Sequence, residues 1–323
     1  MKHRERRAES SLLLLCLILS ASSEAYGAIN NTGEADPLRC ISFYSSVNGL
    51  NSTIYYVTQS ISECLEGEKN IALSVYCLPS DLYESVDYKI KTAAALDMDL
   101  MILSSFPEEL DDTLQQELED NEIFALIVDG QPSDYKLSAC IGTDNLDAGV
   151  QAAKSAEKLS GAHQVGIVAT SFRSSEISAS RQERRDGFVN LGETYQNMTL
   201  VGECVCSSNA LEAMQTVQEF LEEYPGIDVL YCLDSSSGIT ASEVLRQMKR
   251  EKEVTVICFD NTDQVQQEMD AGGIDMVLVQ NTEKIGQECA EFLLQMSRRE
   301  MDSLCQKQIS IPCLMVTADE EQR

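Results

Sequence analysis

Val254-Thr255-Val256-Ile257-Cys258-Phe259-Asp260-Asn261 is the stretch whose reading decides the fold. Its β-branched and apolar side chains run on without a polar break once Thr255 counts as β-branched. That is the pattern of a strand buried on both faces. The run then stops abruptly on Phe259, Asp260 and Asn261. A carboxylate and an amide at the C-terminal edge of a strand are unusual as scaffolding alone, because in open α/β sheets that edge faces the ligand crevice.

The same construction recurs in both directions. Residues 124–128 form an apolar run ending on Asp129-Gly130, residues 229–233 one ending on Asp234, and residues 276–279 one ending on Gln280-Asn281. Further strands are expected at 40–44, 71–78, 100–103, 164–169 and 200–206, and residues 309–316 read as one last extended segment. Apolar residues at helical spacing mark 54–65, 83–96, 181–191, 210–223, 242–250 and 283–296. Pro107-Glu108-Glu109 reads as the opening of another helix, and Thr143-Asp144-Asn145 as the cap of one that runs to Leu159 before Gly161. Strands alternating with helices of about 10–15 residues imply parallel sheets built from right-handed βαβ units. Two similar blocks of this kind predict an α/β fold of two doubly wound parallel-sheet lobes joined by short crossover strands, which makes a hinged cleft. The expected division is 39–142 plus 281–308 for the N-terminal lobe and 143–280 plus 309–323 for the C-terminal lobe.

The totals narrow the function. A chain of 323 residues has room for about two domains. Its 53 acidic against 24 basic residues give a formal charge of −29, a field that repels phosphate backbones and anionic lipid head groups. Nucleic acid is therefore excluded as a partner, and neutral or cationic small molecules suit the surface better.

Residues 1–27 stand apart. Lys2, Arg4, Arg6 and Arg7 precede an apolar run over 12–21, and Ala25-Tyr26-Gly27 offers small residues where a signal peptidase cuts. This order predicts a secretory signal peptide, with an uncleaved signal anchor as the rival; ten residues fall short of the roughly 20 that span a bilayer comfortably. Leucines precede Cys16, so the small residue expected before a lipidated cysteine is missing. The other eleven cysteines are an odd number without regular spacing, which is not a disulfide framework. Cys204-Val205-Cys206 is their one close pair, and its period of two puts both thiols on one face of a strand.

Catalytic signatures are absent from the sequence. It has no Gly-x-Gly-x-x-Gly after a strand, no P-loop and no Gly-x-Ser-x-Gly elbow. Its two histidines are His3, in the leader, and His163, which reads as a solvated turn residue. Cys204 and Cys206 lack a second pair for zinc. The expectation is a protein that is not an enzyme and uses no cofactor or metal. What remains is a set of polar residues at strand ends. Asp129, Asp234, Asp260 and Gln280 are each placed where a sheet fixes position while leaving the side chain accessible. A carboxylate accepts two hydroxyl hydrogen bonds, and Arg184 in Arg184-Arg185-Asp186-Gly187-Phe188 is the expected donor to complete the ring.

These residues carry a resemblance. Val128-Asp129, Thr143-Asp144-Asn145 with Gly149, Arg184-Arg185-Asp186-Gly187-Phe188, Leu233-Asp234, Phe259-Asp260 and Val279-Gln280 with Gly286 follow one another as in the type 1 periplasmic binding proteins. The likeness is to the ribose- and galactose-binding group, whose fold the lac repressor effector domain shares, and it spans nearly all of residues 40–318. It implies a periplasmic binding protein-like I fold in which Asp129, Arg184, Asp260 and Gln280 hydrogen-bond a sugar or polyol between two closing lobes. It also implies a monomer outside the cytoplasm that delivers the sugar to a membrane ABC permease, or alternatively presents it to a sensor kinase. The chain departs from the pattern in three places. Cys258 stands where the family often has glycine, Asp234 takes a slot commonly held by asparagine, and there is no tryptophan to stack on a sugar. Stacking is then expected from Tyr44, Tyr55, Tyr56, Phe172 or Phe259, and the first-loop amide from Asn48 or Asn51.

Overall fold

The apolar runs become strands in the computed structural model of the chain, which describes residues 36–45, 53–104, 106–171, 177–298 and 303–317. In chain order the strands are β1 (Leu38–Ser45), β2 (Ile71–Leu78), β3 (Leu100–Leu103), β4 (Phe124–Val128), β5 (Ser138–Thr143), β6 (His163–Ser171), β7 (Met198–Ser207), β8 (Val229–Cys232), β9 (Thr255–Phe259), β10 (Met276–Val279), β11 (Gln308–Ile311) and β12 (Leu314–Thr317). They form two six-stranded sheets, ordered β11-β5-β4-β3-β1-β2 and β12-β10-β9-β8-β6-β7. Pairing is parallel throughout except where β12 runs antiparallel to β10. Each sheet reverses its strand order beside the first strand of its block, which is the doubly wound pattern.

The helices cover both faces. They are α1 (Thr53–Cys64), α2 (Val86–Ala95), α3 (Asp112–Asp120), α4 (Asn145–Glu157), α5 (Ala179–Gly192), α6 (Ala210–Glu223), α7 (Ser235–Met248), α8 (Asp263–Asp270) and α9 (Thr282–Ser297), with a single helical turn at Ser80–Tyr83. Strands sealed on two faces must be apolar on both, and β3, β4 and β8 are buried at every residue. Ile102 and Leu126 pack with Ile285 and Phe292 of α9 on one face of the first sheet, while Met101 and Ile127 face Ile90 and Leu118 on the other. The second sheet is enclosed in the same way.

The chain passes between the sheets three times: after β5, after β10, and at Pro312-Cys313. The last passage differs from the sequence reading. Residues 309–316 are not one segment, because Ile309 pairs with Ile141 in the first sheet while Met315 pairs with Leu278 in the second. The division therefore falls at Pro312-Cys313 and not after residue 308. Pro312 lacks a backbone donor, which suits a residue between two ladders.

Two helix starts also move. Pro107 opens no helix; α3 begins after Asp111, whose side chain accepts from the backbone N–H of Thr113 and Leu114. Helix α7 begins at Ser235 and not at 242, because Asp234 caps it. Two elements escaped the sequence reading altogether, β5 and α8.

Two glycine contacts set how the elements sit under the site. A Cβ on Gly149 of α4 would lie 2.0 Å from the carbonyl oxygen of Arg184, and one on Gly187 of α5 would lie 2.0 Å from that of Leu146. The two helices thus cross backbone to backbone, which brings Arg184 beside the start of α4. Gly238 of α7 is the other case, since its Cβ would lie 2.3 Å from the sulfur of Cys258. Cys258 fills the space that the missing side chain leaves, and its thiol reaches the carbonyls of Asp234 (3.6 Å) and Phe259 (3.4 Å).

Candidate functional site

The strand-end carboxylates fall into two kinds, distinguished by backbone geometry. Asp129 after β4 and Asp260 after β9 occupy corresponding positions in the two sheets and both adopt the left-handed conformation, with φ of 53° and 69°. Each anchors its backbone N–H on the neighbouring strand, Asp129 on the Ile141 carbonyl (3.0 Å) and Asp260 on that of Leu278 (2.9 Å). A non-glycine residue with positive φ is uncommon, and aspartate is among those that tolerate it. The turn takes each carboxyl out of the strand's alternation at the sheet's C-terminal edge.

Asp129 keeps one oxygen on the backbone N–H of Thr143 (3.1 Å), and its other oxygen accepts nothing from the described residues. The Asp260 carboxylate has no hydrogen-bond partner among them at all. It retains partial exposure, yet its carboxyl is set deep enough that burial pushes it from 3.8 up to about 6. Arg184 opposes that rise, Asp129 and Asp234 add to it, and Arg181 opposes it. The two left-handed aspartates, one from each sheet, therefore share an electrostatic neighbourhood with two arginines of α5. Cys313, in the third passage between the sheets, also feels Arg184, Asp260 and Asp129.

Asp234 belongs to the second kind. It is extended (φ −156°) and only 4% exposed. One oxygen caps α7 through the Ser237 N–H (2.9 Å), and the other accepts from the Thr170 N–H (2.9 Å) and from Arg181 Nε (2.8 Å). The helix, the neighbouring strand and Arg181 thus share the carboxylate of Asp234, one of the expected ligand contacts.

Phe259, another expected contact, is tied into the fold as well. Its ring is fully buried in the second sheet's core, and the Arg184 guanidinium lies over it, 3.2 Å from the ring centroid. A ring stacked on an arginine inside the core offers no face to a sugar. It serves as the platform that fixes Arg184. That guanidinium is 6% exposed and donates from Nε to Asn145 Oδ1 (2.8 Å) and from Nη1 to the Leu233 carbonyl (2.8 Å). Two of its five N–H donors are thus spent on the fold, and it acts on Asp260 through its charge.

Gln280 follows β10 at the second passage, and its Oε1 accepts from the Thr53 hydroxyl (3.0 Å), which leaves its amide N–H groups as donors. Thr53 begins α1, and the next residues of that helix carry a ladder of rings. Tyr44 at the end of β1 meets Tyr55 edge-on (centroids 5.7 Å apart), and Tyr55 meets Tyr56 in the same way (5.7 Å). Asn48, Asn51 and Phe172 lie outside the described residues. His163 is not a solvated turn residue, since it opens β6 and holds Asp228 through Nδ1 (3.0 Å) with an 11% exposed side chain. The sequence reading missed Arg181 and Asn145. The signal for Arg181 was available: it stands three residues before Arg184, hence on the same helix face.

A family model described as periplasmic binding protein domain matches residues 89–300. The chain belongs to the periplasmic binding protein family. Solved structures share its fold at low identity. An arabinose-binding protein from Geobacillus stearothermophilus is 21% identical with a TM-score of 0.74, over 89% of this chain and 99% of that one. A sugar ABC transporter's sugar-binding protein from Bacillus halodurans is 20% identical with a TM-score of 0.73, over 87% and 97%. XylFII, solved in a complex with LytSN, is 16% identical with a TM-score of 0.67, over 88% and 99%. No curated protein matches the chain. For a member of this family, the paired strand-end aspartates lie where an open α/β sheet takes its ligand.

Proposed function

We propose that this chain is an extracytoplasmic solute-binding protein that captures a sugar or sugar-like polyol between the strand ends of its two sheets and delivers it to an ABC permease. The observation that carries the reading is Asp260, a carboxylate with no hydrogen-bond partner among the described residues, held in a left-handed turn and coupled in charge to Asp129, the left-handed aspartate at the matching position of the other sheet. A polar group left unpaired in a buried site is costly unless a ligand completes it, and hydroxyl groups are donors that an ionised carboxylate accepts. The fold relatives that bind arabinose or other sugars support this class of ligand. Asp129, Asp260 and the Gln280 amide are the proposed hydrogen-bonding contacts, Arg184 acts on them through its charge, and Tyr44 with Tyr55 and Tyr56 is the proposed stacking surface.

The protein binds without turning its ligand over and works as a monomer. Contacts from both lobes favour their closure on the ligand. A second reading is presentation of the ligand to a membrane sensor kinase, and the XylFII–LytSN complex, a fold relative with a protein partner, favours keeping it. A thermal-shift panel of pentoses, hexoses, polyols and short oligosaccharides tests the ligand class. A ligand at 100 times its Kd adds about 2.7 kcal/mol to stability, so a binder is expected to raise the Tm clearly. No rise across the whole panel overturns the sugar reading.

A further inference from the structure

Lys89 is a buried charge that the sugar site leaves unused. It lies on α2 at 1% exposure, with its ammonium 4.1 Å from the centroid of the Tyr83 ring. No carboxylate pairs with it and no hydrogen bond reaches it among the described residues. Burying an unpaired ammonium is strongly unfavourable. The residue also sits only four positions after the Ser85 N-cap, at the end of the helix where the dipole disfavours a cation. Burial holds its amine down to about 8, against the pull of Glu84, which is exposed. A leucine or methionine would serve packing and helix better.

Its location is informative. The Tyr83 hydroxyl hydrogen-bonds that of Ser104 (2.5 Å), and Ser104 directly follows β3 at the C-terminal edge of the first sheet. Gly130 lies against Ser104 so closely that a Cβ there would come 3.0 Å from its carbonyl oxygen. Lys89, Tyr83, Ser104 and Gly130 thus form a continuous strip that ends beside Asp129.

We propose that Lys89, with the hydroxyls of Tyr83 and Ser104, is an anion subsite at the ligand edge of the first sheet, so that the captured solute is an acidic sugar bearing a carboxylate or phosphate. This rests on the sugar reading above. Asp129 and Asp260 take hydroxyls at one end of the solute, and the ammonium takes the acidic group at the other. The shared chemistry is an oxyanion, which also describes free inorganic phosphate.

The test is titration calorimetry and thermal shift on the full chain, comparing wild type with Lys89→Met. The probes are glucuronate, galacturonate, glucose 6-phosphate, the neutral parent hexoses, and inorganic phosphate alone. Wild type is expected to bind at least one acidic sugar about ten-fold or more tighter than its neutral parent, in line with a charge-assisted hydrogen bond, and Lys89→Met to lose that difference. Phosphate raising the Tm of wild type but not of Lys89→Met, without a preference among the sugars, assigns the subsite to the free anion. An acidic-sugar preference that survives in Lys89→Met overturns the proposal. Wild type that binds neutral hexoses and ignores every anion overturns it while the sugar reading stands. Wild type that ignores all sugars but takes phosphate through Lys89 overturns the sugar reading and keeps the anion site.

Discussion

Replacing Asp260 by Asn separates the cost of its buried charge from the benefit of that charge to a ligand. Asparagine keeps the shape and tolerates the left-handed φ of 69°, whereas alanine adds a backbone penalty of about 1–2 kcal/mol and confounds the comparison. The Asp260 carboxyl loses its proton near 6 in the folded chain and near 3.8 in the unfolded one. Between those values the folded chain holds a proton that the unfolded chain has released, so stability from this group falls as the pH rises through the window and is lowest above it. A gap of about two pH units at 1.36 kcal/mol each makes about 3 kcal/mol, and partial exposure trims this to about 1–3 kcal/mol. Asp260→Asn without ligand is therefore expected to be more stable than wild type by about 1–3 kcal/mol at pH 7.5, with the gain shrinking toward pH 4. Urea unfolding of both proteins from pH 4 to 7.5 measures this, and taking the difference cancels groups that titrate alike in the two. Ligand affinity runs the other way. Hydroxyls donate to the ionised form, so wild-type affinity falls by up to about ten-fold per pH unit below about 6, while the variant binds weakly and without that slope. A variant less stable than wild type at pH 7.5, or a difference that does not change with pH, refutes the reasoning.

Three further substitutions test the roles assigned around the site. Asp234→Ala removes a helix cap and the Arg181 ion pair, and a loss of about 2–4 kcal/mol is expected in denaturant titration; an unchanged midpoint would free Asp234 from its structural duty. Gly238→Ala puts a Cβ against the Cys258 sulfur and is expected to cost about 1–3 kcal/mol, part of which returns in the double variant with Cys258→Ala. Strict additivity of the two changes would show that the contact does not limit how α7 packs on β9. Tyr231→Phe deletes a fully buried hydroxyl that has no partner among the described residues, so stability is expected to hold or rise by about 1–2 kcal/mol, and a clear loss of Tm would contradict that burial.

The parts of the fold legible in the sequence are those that stand out as apolar or β-branched runs. Strands β4, β8, β9 and β10 are apolar because helices cover both faces, so an unbroken run identifies them. Strand β5 escaped because Ser138, Gly142 and Thr143 dilute its apolar residues, although every position but the last is buried. Helix α8 escaped because it buries only Val265 and Met269 among polar neighbours. The break between the last two strands is a tertiary event: 309–316 is locally one extended segment, and only pairing with two different sheets divides it.

The strand-end carboxylates were legible in the sequence, and the difference in their geometry, which was not, has a local cause. Asp234 and Asp260 carry the same signature, an apolar run that ends on aspartate. After Asp234 the helix starts at once, so the carboxylate becomes its cap. After Asp260 the cap is Thr262, whose side chain accepts from the Val265 N–H (3.2 Å). A second residue able to cap the helix releases the aspartate from backbone duty and allows the left-handed turn that presents it. Thr262 was visible in the sequence, and its position tells the two aspartates apart. Phe259 follows from the same strand geometry. The ring of the last strand residue stays in the core, where it carries Arg184, and the turn presents the carboxyl of the residue after it. One strand end thereby supplies both the acid whose carboxylate has no partner among the described residues and the platform for the arginine whose charge opposes the upward shift of that acid.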